Sequence, residues 1–156
     1  MHPNVARVTE AASTAGLRIH VDRFPEGTRT AQDAARAVGC DVAQIVKSLV
    51  FMADGRPVVA LVSGSNRVDL ERLAATLGAE AVRRADGDEA RAATGFAIGG
   101  VPPFGHADPV TVVVGRDLMA HGSVWAAAGL PDAVFEIAPS DLVRASGGAV
   151  ADIAEG

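Results

Sequence analysis

One charged side chain stands alone in an apolar run: Lys47, within Ile45-Val46-Lys47-Ser48-Leu49-Val50-Phe51-Met52. An ammonium there must snorkel to solvent, find a partner or face a cleft, because burying it unpaired is costly. Without chemistry it is an edge-strand lysine that blocks edge-to-edge pairing. With chemistry it is a cation set at a pocket to meet a phosphate or a carbonyl oxygen. A second stretch, Gly95-Phe96-Ala97-Ile98-Gly99-Gly100-Val101-Pro102-Pro103-Phe104-Gly105-His106, poses a matching choice. It is apolar enough to be buried, yet glycine and proline interrupt it too often for a helix or strand. Its prolines stiffen the backbone, its glycines admit another molecule, and free N–H groups in such a loop can bind an oxyanion. Its bland alternative is a tight crossover between a helix and a strand.

Other chemistries are missing. There is no G-x-S-x-G elbow, no phosphate-cradling P-loop and no G-x-G-x-x-G. His2, His20, His106 and His121 lack metal-ligand spacing, so no metal and no cofactor are expected. The one cysteine, Cys40, rules out a disulfide framework or a cysteine cluster and reads as a small buried hydrophobe. A net charge of -5 argues against a broad nucleic-acid-binding face, though not against a narrow contact with one end of a nucleic acid. Met1-His2-Pro3-Asn4 has no basic and apolar signal regions. No uninterrupted run of about 18 apolar residues occurs. A cytoplasmic protein with no membrane segment is the expectation.

The elements that must position these residues can be read from caps and periodicity. Helices are expected over Val5 to Ala15, from a Thr30 cap to Gly39, over Asp69 to Leu77, over Asp86 to Thr94 and over Pro139 to Ala145. Strands are expected over Arg18 to Val21, Ile45 to Met52, Pro57 to Val62, Val110 to Val114, Val124 to Ala127 and Val134 to Ile137, with Val150 to Ile153 finishing the chain. Ala53-Asp54-Gly55-Arg56 is a hairpin signal. The irregular mixture predicts an α+β fold: one compact domain over residues 1–156, with a mixed, mostly antiparallel sheet and helices packed around it.

Order and spacing then carry a resemblance. A Thr-capped, alanine-rich helix precedes Lys47-Ser48-Leu49-Val50-Phe51, then Val59-Ala60-Leu61-Val62 and Val68-Asp69-Leu70. Later come Gly99-Gly100-Val101-Pro102-Pro103-Phe104-Gly105 and Val134-Phe135-Glu136-Ile137-Ala138-Pro139. This pattern resembles the YbaK-type aminoacyl-tRNA deacylases, the family of the editing domain of bacterial prolyl-tRNA synthetases, over roughly residues 17 to 154. The resemblance implies hydrolysis of the ester between a wrong amino acid and the tRNA 3′ end, with tRNA for proline carrying Cys or Ala. It implies the aminoacyl-tRNA 3′ end as partner, with prolyl-tRNA synthetase as a second one. It also implies Lys47 and Gly100 at the reaction, and Thr30, Ser48, Gly99, Val101, Pro102, Pro103, Phe104, Gly105, His106 and Gly129 around the substrate. An aminoacyl ester is already activated, so positioning and oxyanion stabilisation outweigh a strong nucleophile. Two departures leave the amino acid open. Ser48 follows Lys47 where the alanine-clearing branch has asparagine, and Val101-Pro102 stands where the cysteine-clearing branch has a small polar residue. His106 and His121 match no family site clearly. A non-catalytic tRNA- or nucleotide-binding module of the same fold is the competing class, and a general ester hydrolase is a third.

Overall fold

The computed structural model describes residues 1–28 and 30–156. In chain order its elements are α1 (Pro3–Thr14), β1 (Val21–Arg23), α2 (Ala31–Val38), β2 (Val46–Ala53), β3 (Arg56–Ser63), α3 (Leu70–Leu77) and β4 (Val82–Arg84). There follow α4 (Gly87–Thr94), β5 (Thr111–Gly115), β6 (Val124–Ala127), β7 (Ala133–Ile137), α5 (Pro139–Ser146) and β8 (Ala149–Ala151). The helix starts obey their caps. Thr30 accepts from the Asp33 amide, Asp69 from the Glu71 and Arg72 amides, and Asp86 from the Glu89 amide. Asp54 and Gly55 both have positive φ, 50° and 80°, which lets a two-residue turn join β2 to β3.

The strands divide into two sheets. One has the order β4-β2-β3-β5-β8 and the other β1-β7-β6. Antiparallel pairs dominate, while β5 runs parallel to both β3 and β8. The two sheets touch through one parallel bridge, Ile45 to Trp125. The strand expected at Arg18 to Val21 lies further along, at Val21–Arg23, where β7 supplies its partner residues Ala133 to Phe135. β4 has no counterpart in the sequence reading. Its Val82-Arg83-Arg84 carries no apolar alternation, and pairing with Phe51 to Ala53 makes it a strand.

The larger sheet has a core on each face. Val46, Val50, Val59 and Leu61 belong to the main core, with α1, the smaller sheet and Leu142 of α5. Phe51, Ala53, Val58, Ala60 and Val62 belong to a second core with Leu73 of α3 and Ile153. This is period-two alternation with both faces covered.

The glycine- and proline-rich loop is mostly core. Phe96 is buried beneath the Arg7 guanidinium, 4.5 Å from its ring centre. Phe104 packs on Phe135 with ring centres 5.6 Å apart. His106 Nε2 shares a hydrogen bond of 2.7 Å with the Pro102 carbonyl. A methyl built on Gly105 would meet the Ala11 side chain at 3.1 Å. One built on Gly100 would sit 3.0 Å from Leu130 Cα and 3.1 Å from the Gly129 carbonyl carbon. The molecule that approaches Gly100 closely is therefore the protein's own backbone. Gly129 is held in turn by Asn4 Nδ2, which donates to its carbonyl at 3.0 Å.

Two outcomes follow from this packing. Gly100→Ala should lower stability by about 1–3 kcal/mol, the usual cost of overpacking, because backbone atoms must shift; a thermal midpoint equal to wild type would contradict the close approach. The second concerns Arg83 and Glu89, which form two bonds of 2.7 Å. The Arg83 guanidinium, with the Asp86 amide, draws the Glu89 carboxyl from 4.5 down to about 2. A depressed carboxylate stabilises the fold above its unfolded value and loses that contribution as pH falls through the folded one. Urea midpoints should therefore fall between about pH 4.5 and pH 2, and Glu89→Gln should make that fall shallower.

Candidate active site

The site begins with a strand edge. Ile45 accepts from the Gly64 amide at 2.7 Å, on the β3 side. Val50 accepts from the Ala85 amide at 2.9 Å, on the opposite side. Backbone groups alternate between the two sides of a strand, so Val46 and Ser48 aim their N–H and C=O groups away from β3, as Val50 does. β4 covers that edge only at Phe51 to Ala53. Below it, β2 is open until the Ile45–Trp125 bridge closes the seam.

A cavity of about 300 Å³ lies along this open edge. Its walls are α2 with Ala31 and Ala34, the residues Trp125 to Ala127 of β6, and the loop positions Ile98, Gly99 and Val101. Among the described residues the Gly99 and Val101 amides make no hydrogen bond. Gly99 has φ of 93°, which turns the loop at the cavity wall. The polar lining consists of Lys47, Ser48, Arg84, Thr28 and Thr30, with no carboxylate or imidazole among the lining residues described.

Lys47 is half-buried, and its Nζ donates to the Asn66 carbonyl. Asn66 is fastened at both ends, its amide donating to Ser63 at 3.0 Å and its side chain to Asp117 at 2.7 Å. No carboxylate pairs with Lys47, Arg67 or Arg84 among the described residues. Burial, followed by the positive charges of Arg67 and Arg84, pulls the Lys47 ammonium below the usual lysine range. An entering anion acts against that shift by favouring the charged ammonium.

The structure brings together Thr30, Lys47, Ser48, Gly99 and Val101 from the sequence reading, and all five line the cavity. Thr30 does so while capping α2. The Ser48 hydroxyl is buried without a partner among the described residues. Gly100, Pro102, Pro103, Phe104, Gly105, His106 and Gly129 lie outside the lining. The Gly100 amide donates to the Ala97 carbonyl at 3.0 Å. His106 is held in the loop, and burial keeps its imidazole below the usual range. Cys40 is half-buried at the edge of the α2 alanine cluster. Sequence reasoning missed Arg67, Arg84, Asn66, Ile98 and Trp125. Only the last carried a signal of its own, as the one tryptophan of the chain.

Comparison with known proteins adds to this geometry. A solved structure of a candidate trans-editing enzyme for prolyl tRNA synthetase shares 44% identity and a TM-score of 0.94, covering 100% of this chain and 99% of that one. The uncharacterized protein YwhH of Bacillus subtilis (strain 168) is 32% identical over 123 residues, 78% of each chain. EbsC of Enterococcus faecalis (strain ATCC 700802 / V583), named as a candidate Cys-tRNA(Pro)/Cys-tRNA(Cys) deacylase, is 26% identical over 131 residues, covering 83% of this chain and 80% of its own. The aminoacyl-tRNA editing domain matches residues 25–145, spanning α2, the open edge of β2 and the glycine loop. The chain belongs to the aminoacyl-tRNA editing domain family.

Proposed function

We propose that this protein removes a wrongly attached small amino acid from the 3′ end of a tRNA, with tRNA for proline as the substrate. The observation that carries this reading is that Lys47, unpaired by any carboxylate among the described residues, lines one cavity with Gly99 and Val101, whose amides make no hydrogen bond among those residues. Lys47, with Arg67 and Arg84 nearby, suits the phosphate and ribose of a terminal nucleotide. The Gly99 and Val101 amides are the best-placed donors for the ester carbonyl oxygen, where negative charge develops as water adds. The C–O bond to the ribose then breaks, the ribose oxygen takes a proton, and free amino acid and tRNA result. Gly100 supports this site by holding the loop against the 129–130 backbone.

Among the described residues no carboxylate or imidazole lines the cavity, which fits an ester activated enough to need positioning more than proton abstraction. The apolar walls Val46, Val50, Val101 and Ala126 suit a small side chain. Cys and Ala remain the candidates, with Ser as the third substrate to compare. Such a pocket separates side chains differing by one methylene by only about 10- to 200-fold. Prolyl-tRNA synthetase, as the source of mischarged tRNA, is the proposed partner in the cell.

Single-turnover hydrolysis of Ala-, Cys- and Ser-charged tRNA for proline tests the reading. Lys47→Ala should reduce the rate by about 100- to 1,000-fold, the scale of losing an electrostatic contact to the transition state, with an unchanged circular dichroism spectrum. A fully active variant would sink the assignment. Binding of charged tRNA without hydrolysis would make the protein a binding module instead. His106 lies outside the lining, so His106→Ala should change the rate less than tenfold, whereas a histidine base contributes about 100- to 10,000-fold. If a rate ionisation below the usual histidine range vanished in that variant, a histidine base would replace this mechanism.

A further inference from the structure

We propose that Trp125 is the platform on which the terminal adenine of the tRNA stacks. The inference rests on the reading that a tRNA 3′ end enters the cavity, and it assigns the base a place that Lys47 and the loop do not provide. Val124 and Ala126 of β6 point into the main core, so Trp125, between them, points to the opposite face of the strand. There it packs against Ile45 and the alanines of α2, and it is half-buried rather than enclosed. It is the only aromatic residue lining the cavity among those described.

Its distance from the cation has the right scale. Trp125 bridges to Ile45, and Lys47 lies two residues beyond Ile45 on the same face of β2, roughly 7 Å along the strand. That is about the reach from a purine ring to its own ribose 3′ oxygen. With the base on the indole, the ribose and its ester come to Lys47 and the Gly99 and Val101 amides. Ala31 and Ala34 line the same cavity, and their short side chains offer the base apolar surface beside the indole. Stacking on an aromatic face needs no hydrogen-bond partner and is a main source of affinity for unpaired bases.

The chain has one tryptophan and no tyrosine, so its indole emission reports on Trp125 alone. Wild-type protein is titrated with uncharged tRNA ending in CCA and with the same tRNA lacking the final adenosine. The first should give a saturable change in emission and the second none. Trp125→Leu should raise KM for deacylation about 10- to 100-fold, more than it lowers kcat, and Trp125→Phe should recover most of the loss. Equal emission changes with both tRNAs, or hydrolysis by a wild-type protein whose emission stays silent, would overturn the stacking role and leave the deacylase reading standing. An emission change specific to the terminal adenosine without any hydrolysis would uphold stacking and overturn catalysis. A protein both silent and inactive would overturn both.

Discussion

A β-strand edge inside an apolar interior must find partners for its backbone groups, and the first half of β2 has partners on one side only. β3 pairs along the whole strand, whereas β4 covers only the far end. The seam this leaves around Ser48, between the Ile45–Trp125 bridge and the Val50 carbonyl held by Ala85, sets the position of the cavity. α2 and the Ile45–Trp125 bridge bound it below, and Ile98 to Val101 bound it at the side. Were β4 longer by a few residues, the edge would be paired and the cavity filled. The site exists because a sheet stops short where the core continues.

Stiffness around this seam comes from backbone meeting backbone. Gly100 against Gly129 and Leu130, and Gly105 against α1, are contacts that side chains would push apart. Asn4 fastens Gly129 from the start of α1, and Thr28 donates to the Pro131 carbonyl from the approach to α2. Segments far apart in the chain thus hold one wall. Donors fixed in advance need not reorganise when charge develops on a substrate, which is the kind of stiffness the proposed reaction would use.

The charge distribution follows the same economy of means. The chain carries net charge -5, yet the positive charges of Arg67 and Arg84 act on Lys47 with no carboxylate pairing any of the three among the described residues. A net negative chain with cations grouped beside a cavity fits the proposed entry of a single phosphate-bearing end better than a broad contact with nucleic acid. Anchoring Lys47 on a backbone carbonyl rather than a carboxylate leaves its charge available.

The sequence by itself determined what depends on neighbours a few residues away. The caps at Thr30, Asp69 and Asp86, the Asp54-Gly55 turn, the strand around Lys47 and the irregularity of the glycine loop all follow from local backbone preference and side-chain reach. Family membership was legible too, because lysine strand and glycine loop occur in a specific order. The tertiary structure decided the rest. It split the strands into two sheets, made a strand of Val82–Arg84, and turned Gly99 and Val101 to the cavity while placing Gly100 and Phe104 to Gly105 in the packing. It also brought Arg84 and Trp125 to the same cavity and Arg67 near enough to act on the charge of Lys47. Those outcomes depend on which distant segment supplies the missing partner for a backbone edge or an apolar face, and local sequence does not encode that choice at any one position.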